Sequence, residues 1–412
     1  MKPTKSIDRH GMYRFPWSKT DNPGAWVEVT DRCDLSCPGC YRHRLEGDRP
    51  LDELKRDILT CRSLTQCGRI YIAGGEPLLY PHLAEVVAFI AGQGMEPVLF
   101  TNGEKLDRGS AGELKKAGLN QFFIHVDSGQ GRPGWQGKTE AGLNVLRQHY
   151  ADLIAELGGV RCGFNMTLTR ATLAEVPVVL EWAAENIDKV QNISLIALRG
   201  MDMSEGKRDA ACGRPIDTSR WRSGSADPWE LTMTSDEIYG VITTRFPALR
   251  ASAYLGGTSR PETTKFLIIL PVGSPGRIYG VVGATAVEAK EVVHHLRTGS
   301  YAAKTRDARV GKKIFALSVF DREVRKAFVR FVRAAIAAPR RLFEPVYLQC
   351  INIQQPNEII EGETNLCDGC YNQMVYRGRL IPECQLDEYR LYGGPICEVG
   401  PERGDSLEKP AG

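Results

Sequence analysis

The feature that most constrains the fold is a regular alternation of strand-like and helix-like segments between residues 25 and 200. The predicted strands are 26–30, 69–73, 97–101, 122–127, 163–168 and 193–198, and the predicted helices are 51–64, 82–92, 112–117, 137–156 and 173–186. Strands joined by helices of this length form right-handed βαβ units and a parallel sheet. Six units are too few to close an eight-stranded barrel. The pattern therefore predicts an α/β fold with an open parallel sheet.

Three cysteines follow the first predicted strand with the spacing C-x3-C-x2-C. They are Cys33, Cys37 and Cys40. Three thiolates on one short loop can ligate three irons of a four-iron cluster and leave the fourth iron open to a small molecule. His43 is the one nearby residue that could complete a tetrahedral zinc site, so the spacing alone leaves zinc open.

A second motif, Gly74-Gly75-Glu76-Pro77, follows the second predicted strand. The Gly-Gly pair indicates a turn with exposed backbone. Its carbonyl groups and the Glu76 carboxylate would together suit an ammonium group. Taken alone, the motif is also typical of an ordinary turn from a strand into a helix.

Together, the cysteine triplet and the Gly-Gly-Glu-Pro turn resemble the radical S-adenosylmethionine (SAM) enzyme superfamily. The resemblance implies a partial (βα)6 barrel, a [4Fe–4S] cluster on Cys33, Cys37 and Cys40, and SAM bound at the open iron. It departs from many members at Gly39, where they have an aromatic residue, and Tyr41 is expected to cover the cluster instead. Because the cofactor carries the chemistry, no catalytic side chain is predicted.

The resemblance also implies SAM contacts at the ends of the strands. The predicted cofactor-binding residues are Tyr41, Ala73, Gly74, Gly75, Glu76, Asn102, Asp127 and Asn165. Asn and Asp also favour turns, so a turn-forming role is the alternative for the last three. His125, on an apolar strand, is predicted to be a core histidine rather than a base.

The C-terminal region adds five cysteines: Cys350, Cys367, Cys370, Cys384 and Cys397. Cys367 and Cys370 form a Cys-x2-Cys pair, and a predicted hairpin turning at Arg377-Gly378 returns Cys384 toward it. Four such ligands could hold zinc or an iron–sulfur cluster, and we favour the cluster.

Residues 350–384 resemble the auxiliary-cluster region of radical SAM enzymes, and among them those that form tetraether lipids. The resemblance implies a second [4Fe–4S] cluster on Cys350, Cys367, Cys370 and Cys384, with Cys397 as an alternative to Cys350. Four cysteine ligands would favour electron transfer by this cluster. Three would favour direct binding of the substrate at an open iron.

The positive charge of the chain is concentrated in one segment. Residues 304–341 contain twelve Lys or Arg and three Asp or Glu, although the net charge of the whole chain is only +3. Apolar residues within 321–336 recur at helical spacing and predict a basic amphipathic helix. It could be a surface helix with one face on the core, or it could contact an anionic membrane or an acidic headgroup. Nucleic acid is not expected, since no aromatic stacking platform accompanies the charge.

The predicted organisation is an N-terminal arm (1–24), the radical SAM partial barrel (25–200), a long polar loop or linker (201–235), an α+β extension (236–345), the auxiliary-cluster region (346–400) and a disordered tail (401–412). No apolar run could span a bilayer, the start lacks the apolar core of a signal peptide, and twelve cysteines favour a reducing compartment. The predicted location is therefore the cytoplasm.

The predicted function is that of an oxidoreductase that cleaves SAM to a 5′-deoxyadenosyl radical and removes hydrogen from a lipid or other apolar metabolite. It would need an external one-electron reductant such as flavodoxin or ferredoxin. One alternative is a maturase of a peptide or other natural product, although the short N-terminal arm leaves little room for a leader-binding domain. The other is a non-enzymatic iron–sulfur or zinc protein, which would not explain the Gly-Gly-Glu-Pro turn.

Overall fold

The fold is described from a computed structural model. It covers residues 7–40, 42–43, 47–202, 208–219, 221, 224–225, 227–302, 308–360 and 363–399. Tyr41, parts of the predicted 201–235 linker and the predicted disordered tail, 401–412, lie outside these residues.

The first half of the chain alternates strands and helices as the sequence predicts. The strands are β1 (Tyr13–Arg14), β2 (Ala25–Thr30), β3 (Arg69–Gly74), β4 (Glu96–Thr101), β5 (Gln121–His125), β6 (Arg161–Leu168) and β7 (Val190–Ala197). The helices are α1 (Leu51–Thr65), α2 (Leu83–Gly92), α3 (Arg108–Lys116), α4 (Glu140–Leu157) and α5 (Val176–Glu185).

Strands β2 to β7 lie side by side in chain order, and every neighbouring pair is parallel. Alternate residues face opposite sides of the sheet. In β2, Ala25 and Val27 pack under the helices, whereas Trp26 faces inward; in β3, Ile70 packs outward and Tyr71 inward. The predicted α/β fold with an open six-unit parallel sheet is confirmed.

The second half adds short strands around this sheet. They are β8 (Met201–Asp202), β9 (Arg208–Ala211), β10 (Arg214–Pro215), β11 (Gly224–Ser225), β12 (Ala253–Gly256), β13 (Thr264–Ile269), β14 (Pro271–Ser274), β15 (Arg277–Val281), β16 (Tyr347–Leu348), β17 (Cys350–Gln354), β18 (Glu358–Ile360), β19 (Glu363–Asn365), β20 (Gln373–Tyr376), β21 (Arg379–Pro382) and β22 (Ile396–Val399). The helices are α6 (Pro228–Leu231), α7 (Ser235–Arg245), α8 (Ala284–Thr298), α9 (Arg322–Ala337) and α10 (Leu386–Tyr392). Short 3₁₀ turns lie at Pro77–Leu79, Ser128–Gln130, Leu173–Glu175, Lys312–Val319, Pro339–Leu342 and Glu383–Gln385.

The C-terminal strands extend the sheet at both edges. Strand β17 runs parallel to β7 and is followed outward by β13, β12 and β1, whereas β20 and β21 continue the sheet beyond β2. The chain between β17 and β20 therefore passes from one edge of the six-stranded unit to the other. The predicted extension and cluster region thus share one sheet with the barrel.

The segment predicted as a long polar loop or linker contains short strands. Its strand β9 pairs antiparallel with β22, with Ala211 opposite Ile396. This ladder satisfies backbone groups that a solvent-exposed loop would leave to water, and it fastens the segment to the C-terminal part of the chain.

Helices α8 and α9 pack beside the sheet on a second apolar core. Val324, Ala327 and Phe331 of α9 are buried there. Asp321 precedes α9, and its carboxylate accepts hydrogen bonds from the backbone N–H groups of Val324 at 2.9 Å and Ala286 at 3.0 Å. One carboxylate therefore caps the start of both helices. Among the described residues, no helix is both long and apolar enough to cross a membrane.

Candidate functional site

The cysteine triplet lies on the loop that leaves the carboxyl end of β2. Cys33, Cys37 and Cys40 all line a cavity of about 810 Å³. The backbone N–H of Cys40 donates to the Cys37 carbonyl oxygen at 3.2 Å, which closes a tight turn between them. Burial, with the nearby Cys40 thiol and Asp127 carboxyl group, raises the pKa of Cys37 to about 12. Such a thiol ionises at neutral pH only if a cation, such as a metal centre, stabilises the thiolate.

The Gly-Gly turn docks directly on the start of the cysteine loop. The N–H of Gly75 donates to the Thr30 carbonyl oxygen and the N–H of Glu76 donates to the Arg32 carbonyl oxygen, both at 2.7 Å. Gly74 has φ +143°, and a Cβ atom on it would overlap the Thr30 carbonyl oxygen. Only glycine permits this approach. Ala73, Gly74 and Gly75 all line the cavity, and the two glycines, which have no side chain, present backbone to it.

Glu76 differs from the prediction that its carboxylate faces the ligand. The side chain is fully buried and does not line the cavity. It accepts hydrogen bonds from Thr101 Oγ1 and the Asn102 N–H, both at 2.6 Å, and from the Leu78 N–H at 2.9 Å. Burial outweighs these donors and raises the pKa of Glu76 to about 7. The carboxyl group therefore ties the turn after β3 to the end of β4.

The three polar residues predicted at the strand ends all line the cavity. Asn102 donates to Asp34 Oδ1 at 2.7 Å, and its amide nitrogen lies 3.9 Å from Cys33 Sγ. Asn165 is buried, and its Oδ1 has no hydrogen-bond partner among the described residues. A buried amide oxygen without a partner indicates that a donor on a bound molecule belongs there.

The Asp127 carboxylate already has hydrogen-bond partners within the protein. Its Oδ2 accepts from the Thr167 N–H at 2.9 Å and lies 2.6 Å from His125 Nε2, while its Oδ1 accepts from the Gly129 N–H at 3.0 Å. Burial alone would raise the pKa of Asp127, but His125 and these N–H groups hold it below its usual range. His125 is half-buried at the cavity wall, which differs from the core position predicted for it.

Three of the C-terminal cysteines line the same cavity. They are Cys367, Cys370 and Cys384. The predicted hairpin is confirmed: Tyr376 pairs with Arg379 across a turn at Arg377-Gly378, where both φ angles are positive. Burial raises the pKa of Cys367 to about 11 and that of Cys384 to about 12. For Cys370, burial and the neighbouring Cys367 and Cys384 thiols raise the pKa well above its ordinary value.

Cys350 differs from its predicted position beside these three. It begins β17 opposite Asn192, early in β7, and is buried in the second core without lining the cavity. Its strand advances by about 3.3 Å per residue, so Cys350 lies roughly 7 Å along the strand from Asn352, which reaches the cavity. Cys397, the alternative ligand, is on β22, where its Sγ lies 3.3 Å from the Ala210 carbonyl oxygen. The structure therefore brings three of the five cysteines together.

A buried ionic bridge connects the two cysteine loops. Arg42, two residues past Cys40, pairs with Glu28 of β2 and, at 2.8 Å, with Glu383, which precedes Cys384. The N–H of the next residue, His43, donates to Asp387 of α10 at 2.7 Å. These contacts fix the position of one loop relative to the other.

Comparison with known proteins agrees with this geometry. Residues 27–158 match the family model of the radical SAM superfamily. The chain contains a radical SAM domain. Members of this superfamily use a [4Fe–4S] cluster and SAM.

Among curated relatives, the radical SAM domain is similar to Fe-coproporphyrin III synthase of Methanosarcina barkeri, with 27% identity over 179 residues, covering 41% of this chain and 43% of the relative. GTP 3′,8-cyclase of Mycolicibacterium smegmatis is 40% identical over 110 residues, 25% of this chain and 30% of the relative. PqqA peptide cyclase of Gluconobacter oxydans is 28% identical over 171 residues, 39% and 45% of the two chains. The chain spans less than half the length of these relatives. Among solved structures, Streptococcus suis SuiB has a TM-score of 0.36 and 15% identity, covering 45% of this chain and 41% of its own.

The residues at the mouth of the radical SAM domain fit its cofactors. The thiols of Cys33, Cys37 and Cys40 line one cavity, and Gly74 and Gly75 line it beside them. Asn165, whose Oδ1 has no hydrogen-bond partner among the described residues, lines the same cavity. Among the described residues, no three His, Cys, Asp or Glu side chains converge on a single metal ion. A four-iron cluster does not need such convergence, because each thiolate binds a different iron.

Three cavity residues were missed by the sequence interpretation. Asn352, Asn357 and Asn372 line the cavity, and each has a buried Oδ1 without a hydrogen-bond partner among the described residues. They flank the C-terminal cysteines in sequence, which was the one available signal. Only the register of β17 against β7 reveals that Asn352 faces the cavity, where its amide nitrogen donates to Ser194 Oγ at 2.6 Å.

Proposed function

We propose that this chain is a radical SAM enzyme that removes hydrogen from an apolar metabolite held between two iron–sulfur clusters. The observation that carries this proposal is that both cysteine triplets line one cavity of about 810 Å³. When bound, the first cluster and SAM supply the chemistry: one electron cleaves SAM to methionine and a 5′-deoxyadenosyl radical, which takes hydrogen from the substrate. The protein holds and orients both molecules and excludes water.

Cys33, Cys37 and Cys40 would hold the first cluster, leaving one iron for the amino and carboxylate groups of SAM. The exposed backbone of Ala73, Gly74 and Gly75 lies beside it and supplies carbonyl acceptors for the SAM ammonium group. Glu76 acts as a positioning residue, since its carboxyl group binds the end of β4.

The strand ends would hold the nucleoside part of SAM. Asn165 offers an unpartnered amide oxygen to a hydroxyl or amine. Asn102 and Asp127 line the same wall, although Asp127 already accepts from two backbone N–H groups. Asp127 therefore has little remaining acceptor capacity and acts mainly by fixing His125 and the turn that follows β5.

The inner wall of the barrel favours an apolar substrate. Six aromatic side chains line the cavity: Trp26, Tyr71, Phe100, Phe123, Phe266 and Tyr371. The rings of Phe100 and Phe123 stack at 4.8 Å, and Trp26 lies 4.9 Å from Phe100. Such a wall binds an alkyl chain or a planar ring through area removed from water. The amide oxygens of Asn352, Asn357 and Asn372 would accept from hydroxyl or amine groups of the same molecule.

Cys367, Cys370 and Cys384 would hold an auxiliary [4Fe–4S] cluster. Because Cys350 does not line the cavity, one iron of this cluster would lack a cysteine ligand. We therefore favour coordination of the substrate at that iron over a purely electron-relaying role. An external reductant such as flavodoxin or ferredoxin would supply the electron for the first cluster.

Reductive cleavage of SAM tests the proposal. After anaerobic reconstitution and reduction, the natural chain should form 5′-deoxyadenosine, and Cys37→Ala should not. Cys212→Ala is the matched control, because Cys212 is exposed and outside both triplets. Continued formation of 5′-deoxyadenosine by Cys37→Ala would refute the assignment.

Modification of a peptide or other natural product is the second candidate, favoured by the similarity to a protein named PqqA peptide cyclase. Incubation with a hydrocarbon-rich extract and, separately, with a peptide library distinguishes the two. Transfer of substrate deuterium into 5′-deoxyadenosine should occur with only one of these pools.

A further inference from the structure

The exposed apolar side chains of this protein are concentrated on one surface. Fifteen large apolar side chains are exposed in the described residues, and eight of them lie between residues 319 and 343, in α9 and the turns on either side of it. Val319 is 81% exposed, Ile336 is 77% exposed and Phe343 is 87% exposed. We call this segment the 319–343 surface. A concentration of exposed apolar side chains of this kind indicates a site of contact with a partner or a membrane.

Helix α9 carries two apolar strips, and only one of them is buried. Val324, Ala327 and Phe331 face the second core. Phe328, Val332 and Ile336, spaced four residues apart, form a second strip that is exposed to solvent. Packing on the core therefore explains the first strip. In the second strip, the Phe328 ring also contacts Phe315 of the core, with ring centroids 5.5 Å apart, whereas packing leaves Val332 and Ile336 unexplained.

Basic side chains border the exposed strip. Residues 322–344 contain seven Lys or Arg and two Asp or Glu, an excess of five positive charges. Both acidic residues are paired within the segment, Glu323 with Lys326 at 2.6 Å and Glu344 with Arg341 at 3.9 Å. Within the described residues, the side chains of Arg322, Arg333 and Arg340 have no ion-pair or hydrogen-bond partner.

We propose that the 319–343 surface docks the protein on an anionic lipid bilayer. The exposed strip of α9, with Phe343, would enter the boundary between headgroups and acyl chains, and the unpaired arginines would lie against lipid phosphates. A second copy of the chain fits this surface poorly, because symmetric pairing would bring two sets of five excess positive charges together. The inference does not depend on which substrate occupies the cavity, since none of these residues lines it.

Vesicle cosedimentation with the full chain tests this docking. The probes are vesicles of phosphatidylcholine alone and of phosphatidylcholine mixed equally with phosphatidylglycerol. The natural chain should sediment with the mixed vesicles at low salt, and much less with phosphatidylcholine alone or at high salt. The variant I336S/L342S/F343S keeps every charge and removes exposed apolar area, so its partition coefficient should fall by about tenfold or more.

The matched control is L59S/L64S/V145S, which removes three exposed apolar side chains elsewhere on the molecule and should bind vesicles like the natural chain. Circular dichroism should show that both variants keep the natural thermal midpoint. Three results would overturn the proposal: no sedimentation of the natural chain with anionic vesicles at low salt, equal binding by the two triple variants, or a dimer in light scattering that I336S/L342S/F343S abolishes.

Discussion

Residues of the Gly-Gly-Glu-Pro turn stabilise the packing around the cavity as well as lining it. Gly74 and Gly75 let the turn approach the backbone of Thr30 and Arg32, so the turn and the cysteine loop share hydrogen bonds. Glu76 then links the same turn to Asn102 on the next strand. The Gly-Gly-Glu-Pro turn, which the sequence suggests is a set of ligand contacts, therefore also holds the cysteine loop and the end of β4 together. We call this set of contacts the clamp.

Gly74→Ala tests this clamp. The added Cβ would overlap the Thr30 carbonyl oxygen, and alanine is strained at the φ of Gly74, so we expect the free energy of unfolding to fall by about 1–3 kcal/mol or more. Iron incorporation at the first cluster should fall with it. Gly92→Ala is the control: Gly92 ends α2 with open space around it, and alanine there should be neutral or stabilising by about 0.5–1 kcal/mol. Equal stability of the two variants would contradict the clamp.

The buried carboxyl group of Glu76 predicts a pH dependence of stability. Burial raises its pKa from the model-compound value of 4.5 to about 7 in the folded chain. Between these values the folded chain binds more protons than the unfolded chain, so its unfolding free energy should fall as the pH rises, by about 3 kcal/mol in total. Glu76→Gln is neutral throughout and should lack this decline. A stability difference between the two proteins that is the same at pH 5 and pH 8 would contradict it.

At the scale of elements, the ionic bridge of Arg42 joins β2, the cysteine loop and the turn after β21. Its side chain is 6% exposed, and its partner Glu28 is 1% exposed. Burial raises the pKa of Glu28, and Arg42 opposes that shift. The bridge thus counters part of the effect of burial on Glu28, and it links the two cysteine loops.

Arg42→Met would leave Glu28 and Glu383 buried without this cation. Removing one partner of a buried ion pair costs about 3–5 kcal/mol, and we expect a loss of this size in urea denaturation. Arg108→Met is the control, because the Arg108–Glu156 pair is 72% and 58% exposed and such pairs contribute about 1 kcal/mol or less. If the two variants lose similar stability, Arg42 is not the bridge that we describe.

The same elements show what sequence alone could predict. The six parallel strands are rich in apolar residues because they are buried on both faces, and their ends could be placed to within a few residues. The fourth cysteine could not be assigned, because the position of Cys350 depends on the register of β17 against β7, a strand far away in the chain. Likewise, the hydrogen bond between Glu76 and Thr101 and the ion pair between Arg42 and Glu383 could not be predicted, because each joins segments that are distant in the sequence.

At the scale of the whole molecule, the C-terminal part of the chain completes the site by flanking the barrel. Strand β17 joins one edge of the six-stranded unit and β20 joins the other. The connection between them carries Cys367, Cys370 and Tyr371 into the cavity that the cysteine loop opens onto. The substrate space is therefore built by both ends of the fold, and the 319–343 surface lies outside it.

The central claim is that two cysteine triplets, and not a triplet and a quartet, hold two iron–sulfur clusters on one cavity. Iron content after anaerobic reconstitution tests it most directly. The account predicts about eight irons per chain for the natural protein and for Cys350→Ala, and about four for Cys384→Ala. A fall to about four irons in Cys350→Ala, or about four in the natural protein, would contradict it.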